Sequence, residues 1–204
     1  ATFLLTIMEA LLKRPFTHDE TRYLGEPRAV IMAPTRELAQ QIFEDCIALT
    51  KYTSLHSVCI MGGTNYETQQ HELERQYVDI LVATPGRLID LANKGMVYLD
   101  RVEVLVLDEA DRMLSLGFTE ELDAILKLLP SKKQTLLFSA TFPEQVKTLT
   151  HELLNDPIEV QLQSANASTL VQRVFEVEKG RKTALLAHLI QQHEWRQALI
   201  FVNA

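Results

Sequence analysis

A chain of 204 residues holds one large domain, or one domain and part of another, and its 47% hydrophobic content is ample for a buried core. Its 27 acidic and 20 basic residues leave a net charge of −7, which excludes a globally basic nucleic-acid-binding surface, so any such contact has to arise from local geometry. No apolar run approaches the roughly 20 residues that span a bilayer, and the segment Ala1 to Met8 has neither a basic leader nor a cleavage site, so no membrane partner and no signal peptide are expected. Cys46 and Cys59 lie in apolar periodic segments and are expected as reduced, buried thiols of a cytoplasmic protein.

In chain order, Phe3, Leu4, Ile7, Met8, Leu11 and Leu12 recur at helical spacing, with no capping residue before them. A polar loop from Pro15 to Pro27 leads to a strand at Ala29 to Ala33, and Leu38, Ile42, Cys46 and Leu49 give the next helix an apolar stripe. Val58 to Met61 is the next strand, and Thr64-Asn-Tyr-Glu67 has the spacing of a capping box that opens a helix towards Arg75. Asp79 to Ala83 is a strand ended by Thr84-Pro85, a cap followed by the proline that a helix accepts in its first turn.

Val104 to Leu107 then run without a polar residue into Asp108, Glu109 and Asp111. So apolar a run reads as a strand buried on both faces of a parallel sheet, with the acids at its C-terminal edge. Open α/β sheets place ligands at that edge, and adjacent carboxylates there suit a hydrated Mg²⁺ and a polarised water. The plainer reading is that Asp108 caps the next helix and the other acids are solvated.

Phe118, Leu122, Ile125, Leu126 and Leu129 mark a further helix, Thr135 to Phe138 a strand, and Thr141-Phe-Pro-Glu144 a second capping-box spacing before a helix to about Leu154. This alternation predicts a parallel sheet covered on both faces. Ile158 to Leu162 completes that unit, 163–169 has the small polar composition of a linker, and Val171 to Val177, Thr183 to Gln191 and Ala198 to Val202 read as strand, helix and strand. The six histidines form no metal-ligand spacing, and Trp195 is expected to shield the last segment.

The words Pro34-Thr-Arg-Glu-Leu-Ala39, Gly62-Gly63, Thr84-Pro-Gly-Arg87, Asp108-Glu-Ala-Asp111 and Ser139-Ala-Thr141 occur in this order, each where a strand gives way to a loop or helix. The ordered set resembles the DEAD-box ATP-dependent RNA helicases over essentially the whole chain, and the general texture is most similar to the bacterial RhlE-like branch. The resemblance implies a first RecA-like domain over 1–162, a linker at 163–169, and the opening βαβ unit of a second RecA-like domain over 170–204. It also implies a Gly-Lys-Thr phosphate loop directly before the first helix. Residues 1–204 contain no such loop, so by themselves they are expected neither to hydrolyse ATP nor to unwind RNA.

Residue by residue, the resemblance has Asp108 hold Mg²⁺ through water, Glu109 draw a proton from the attacking water, and Asp111 hydrogen-bond towards Ser139 and Thr141 beside ATP. Thr141 is alternatively just a helix cap. For RNA, the helix starts at Pro34, Thr35 and Arg36 and at Thr84, Pro85, Gly86 and Arg87 offer unpaired N–H groups to phosphate, and Gly62 and Gly63 let backbone approach closely. Arg36 and Glu37 could instead pair within the fold, which puts Thr35, Gly63, Thr84 and Arg87 first. Such contacts hold phosphate and sugar with little sequence preference. Two rival readings are a nucleic-acid-binding module without catalysis and an ATP-driven DNA helicase or translocase.

Overall fold

The computed structural model describes residues 2–15, 21–161, 171 and 173–202. The chain divides into two units, Ala1–Pro157 and Ile158–Ala204. In the first, strands β1 (Ala29–Met32), β2 (Ser57–Ile60), β3 (Ile80–Ala83), β4 (Val104–Leu107) and β5 (Gln134–Leu137) form one all-parallel sheet in the order β2-β3-β1-β4-β5. The strands are short; β1, β3 and β4 are wholly apolar, as strands buried on both faces must be, while the edge strand β5 is only partly buried. Successive side chains alternate between two cores. Val30, Met32, Leu105 and Leu107 point to one, and Ala29, Ile31, Val104 and Val106 to the other.

Helices α1 (Thr2–Lys13) and α2 (Arg36–Thr50) cover the second of these cores. Helices α3 (Tyr66–Arg75), α4 (Pro85–Asn93), α5 (Ala110–Ser115), α6 (Thr119–Leu128) and α7 (Glu144–Leu153) cover the first. The expected α/β sheet with helices on both faces is therefore present. In α1 the stripe is Phe3, Leu4, Ile7, Met8 and Leu11, while Leu12 faces outward. In α2 the buried positions are Ala39, Ile42, Cys46 and Thr50, with Leu38 and Leu49 only half-buried, so the stripe is rotated by about one residue. Among the described residues no helix is long and apolar enough to cross a membrane. Burial pushes the Cys46 and Cys59 thiols up to about 12, so neither is a reactive thiolate.

The register levels the sheet at one edge. Ile60 pairs with Ala83, Ala83 with Met32, Met32 with Leu107, and Leu107 with Leu137, so the last residues of all five strands lie in one row. The ladder extends one bond further at each junction, through Thr84 N to Ile60 O, Ala33 N to Ala83 O, Asp108 N to Met32 O and Phe138 N to Leu107 O. The opposite edge is closed by partly buried charge pairs. Arg28 meets Glu103 at 2.6 Å, and Asp79 accepts from Arg22 at 2.9 Å and from the His56 amide at 2.8 Å.

Both capping-box spacings resolve differently from expectation. Helix α3 starts one residue later, with Asn65 accepting from Thr68 N, because the Thr64 hydroxyl donates to Met61 O. Helix α7 starts at Glu144 behind Pro143, so Thr141 is not its cap. In the second unit, the described residues contain a 3₁₀ turn at Lys179–Arg181 and helix α8 (Lys182–Gln192). The strands expected at Ile158 to Leu162, Val171 to Val177 and Ala198 to Val202 do not form among the described residues. Ile158, Val174, Leu199 and Phe201 are instead strongly exposed, since an apolar run becomes a strand only by pairing with a neighbour. Leu162, Gln172 and the linker at 163–169 lie outside the described residues. Trp195 stacks on His193 with ring centroids 5.5 Å apart, and about half of it remains exposed.

Candidate functional site

The outgoing connections of β1 and β4 diverge, one towards β2 and the other towards β5, so a crevice opens between neighbouring strand ends about 4.8 Å apart. Because the row of strand ends is level, the loops after all five strands gather at this edge. They divide into an acidic half after β4 and β5 and an amide-rich half after β1, β2 and β3.

In the acidic half, Glu109 leaves β4 with φ 50° and ψ 53°, a left-handed conformation that a non-glycine residue holds only when its surroundings insist. Bonds on either side do so. Phe138 N donates to Leu107 O at 2.8 Å, and Ala110 N donates to Phe138 O at 3.0 Å. The turn puts Asp108 and Glu109 beside each other, with the Glu109 amide donating to Asp108 Oδ1 at 3.0 Å. Asp108 therefore does not cap α5, whose N-cap position is Glu109 without a side-chain bond. Burial, followed by the neighbouring Glu109 charge, holds the Asp108 carboxyl above its ordinary range in spite of that amide. A half-buried carboxylate that the protein relieves with a single amide fits a cation. Among the described residues no three His, Cys, Asp or Glu side chains converge as a metal cage. One carboxylate so placed could hold Mg²⁺, which keeps most of its waters and binds through one or two carboxylates and substrate phosphate. Glu109 Oε2 lies 3.3 Å from Arg112 Nη1, an exposed contact worth little.

Asp111 is the opposite case. Thr141 donates to Asp111 Oδ2 from its amide at 3.0 Å and from its hydroxyl at 2.6 Å. Ser139 Oγ accepts from Asp111 N at 3.2 Å and donates to Thr141 O at 2.6 Å. Burial pushes the Asp111 carboxyl up, but the bonds from Thr141, Ser139 and Arg112 together outweigh it and hold it below its ordinary value. The loop after β5 is thus tied to the acids after β4.

In the other half, an open cleft of about 620 Å³ is lined by Pro34, Thr35 and Arg36, by Gly62 and Gly63, and by Thr84, Gly86 and Arg87. Pro85 is buried at the first position of α4 and only shapes its start. Thr35 caps α2 by accepting from Leu38 N at 3.3 Å. Thr84 makes no such cap; its hydroxyl accepts from Gly62 N at 3.2 Å and so ties two of the loops together. Gly63 has φ +74°, and a Cβ there would collide with the Arg36 guanidinium. Arg87 Nη2 donates to Thr64 O at 3.4 Å, while its Nη1 is buried without a hydrogen-bond partner. An orphaned guanidinium N–H beside an open cleft is a ready donor for an anion.

The structure thus brings together Asp108, Glu109, Asp111, Ser139 and Thr141 in one half, and the residues of the three glycine-, proline- and arginine-bearing loops in the other. Glu37, read at the α2 start but ranked lower, lines the cleft as well, and sequence reasoning missed Asp90 and Phe118 as lining residues. It missed Gln69 too, which is buried beneath the glycine loop. Its signal was a glutamine in line with Leu73, the other buried residue of α3.

Residues 1–149 match the family described as DEAD/DEAH box helicase. Over its whole length the chain is 45% identical to the ATP-dependent RNA helicase RhlB of Pseudomonas aeruginosa (strain UCBPP-PA14), covering 52% of that protein. Over 98% of its length it is 38% identical to the protein of that name from Shewanella sp. (strain MR-4), covering 46% of it. Also over 98% of its length, it is 40% identical to the one from Xanthomonas oryzae pv. oryzae (strain KACC10331 / KXO85), covering 35%. The chain spans about half the length, or less, of these curated relatives. All three carry the RhlB name, so they lend no support to the RhlE-like branch; the words that identify the family do not separate its branches.

Proposed function

Since this chain belongs to the DEAD/DEAH box helicase family, we propose that it carries the water-activating acids and part of the RNA seat of an ATP-dependent RNA helicase that couples ATP hydrolysis to RNA binding and local duplex unwinding. The observation that carries this reading is the level row of strand ends, which puts an acid cluster and a cleft of amides and guanidinium on one sheet edge. On this reading residues 1–162 belong to a first RecA-like domain, 163–169 to a linker and 170–204 to the opening of a second.

Asp108 is the carboxylate that would hold Mg²⁺ through water, and the ion when bound would neutralise charge on the phosphates. Glu109, fixed by its left-handed turn, accepts a proton from the water that attacks the terminal phosphate. Asp111, Ser139 and Thr141 transmit the state of that acid pair to the loop after β5. Across the edge, Thr35, Gly63, Thr84 and Arg87 take RNA phosphate and sugar, with Pro34, Arg36, Gly62, Pro85 and Gly86 shaping the seat. The names of the relatives favour RNA over DNA as the strand bound.

The test is phosphate release by the protein at the length of its relatives, with Mg²⁺ and with either single-stranded RNA or DNA of the same sequence. RNA stimulation lost in Glu109→Gln is the expected result. Equal stimulation by DNA would make this a general translocase, and turnover untouched by Glu109→Gln would remove the acids from the chemistry.

A further inference from the structure

Gln69 does not touch the cleft, yet its side chain makes bonds that set the cleft's backbone. It sits on the first turns of α3 and is 6% exposed, which is unusual for a glutamine. Its Oε1 accepts from Met61 N at 3.0 Å and its Nε2 donates to Met61 O at 3.1 Å, so the carboxamide pairs with both backbone groups of one residue as a neighbouring strand would. Nε2 also reaches Thr64 Oγ1. Met61 and Thr64 bracket Gly62 and Gly63. From this bracketed loop, Gly62 N reaches Thr84 Oγ1 and Thr64 O receives Arg87 Nη2.

We propose that Gln69 is the positioning residue of the RNA seat: by clamping Met61 and Thr64 it fixes the Gly62-Gly63 turn and, through Thr64 O, the aim of the Arg87 guanidinium. This rests on the reading that the cleft holds RNA phosphate. No apolar residue of the same size can do the work, because Met61 needs a donor and an acceptor side by side. A carboxylate supplies only the acceptor, and faces Met61 O with a like partial charge. A protonated carboxyl restores both.

The experiment measures RNA affinity of the protein at the length of its relatives for Gln69→Met, Arg87→Ala and the double variant, beside melting temperature and nucleotide affinity without RNA. Gln69→Met is expected to weaken RNA roughly tenfold while nucleotide affinity is unchanged, and to weaken it by clearly less once Arg87 is already alanine. Full additivity of the two changes, or RNA affinity preserved in Gln69→Met, overturns the inference while leaving the RNA reading intact. An Arg87→Ala protein with undiminished RNA affinity overturns the RNA reading itself. If Gln69→Met does not fold, Gln69→Glu serves. Its RNA affinity, relative to wild type, should rise as pH falls and the carboxyl takes up a proton, and a flat ratio overturns the inference.

Discussion

The acidic and amide-rich halves of the sheet edge share one scaffold and differ in what they leave unsatisfied. After β4 and β5 the protein concentrates acceptors, and only Asp111 is saturated by donors while Asp108 is left half-buried beside a like charge. After β1, β2 and β3 it concentrates donors, and Arg87 Nη1 is left buried without an acceptor. On the proposed reading, a cation completes the first half and phosphate the second. The contrast between Asp108 and Asp111 shows that neighbours on one turn are assigned different work by their hydrogen bonds rather than by residue type.

The largest break in this comparison comes from removing the base. If Glu109 is the base proposed above, then in the protein at the length of its relatives Glu109→Gln, which keeps shape but accepts no proton, should lower ATP turnover by roughly a hundredfold or more with nucleotide binding retained, as read by single-turnover hydrolysis beside equilibrium binding.

On the donor side, Arg87→Ala should weaken all RNA sequences about equally, by roughly tenfold, and should lower the slope of log affinity against log salt by about 0.7, since one fewer counterion is released. Sequence-selective loss would mean that Arg87 reads bases. Next in size, Gly63→Ala forces a side chain into a left-handed turn at a cost of about 1 kcal/mol or more and displaces Arg36, so RNA affinity should fall several-fold with ATP affinity intact.

The smallest effects sharpen the contrast between the two aspartates and are read from unfolding midpoints against pH. Asp108 has a raised folded pKa, so its charged form costs stability above that value and the cost is relieved as pH falls through it; Asp108→Asn should stabilise the fold slightly near neutral pH while abolishing Mg²⁺-dependent turnover. Asp111 has a lowered folded pKa. Its contribution is present above the ordinary value of 3.8 and is lost as pH falls through the folded one, so wild type should lose its stability advantage over Asp111→Asn in acid. Opposite signs are the point, and equal behaviour of the two variants would erase the contrast.

Much of this was legible before any coordinates. Five strands were readable because a sheet covered on both faces demands unbroken apolar runs, and 104–107 and 80–83 can be little else. The site words were readable because they sit where those runs stop. Thr141 and Thr64 were the harder cases. Their spacing to Glu144 and Glu67 fits a capping box, but a hydroxyl takes the best partner in reach, and Asp111 for one and Met61 O for the other lay closer in space than any helix amide.

What the sequence by itself determined is the order of strands and helices, the carboxylates at one strand end and the glycines at another, because these follow from local pattern and residue chemistry. Strand order and the level register came only with the tertiary structure, since they depend on which strands pair and local pattern carries no record of that choice. Pairing also decided the second unit, where apolar runs at 173–177 and 198–202 found no ladder and stayed exposed. The same holds for Gln69. Its type and position were visible throughout, but a carboxamide becomes a clamp only when folding carries both backbone groups of Met61 to within 3.1 Å of it.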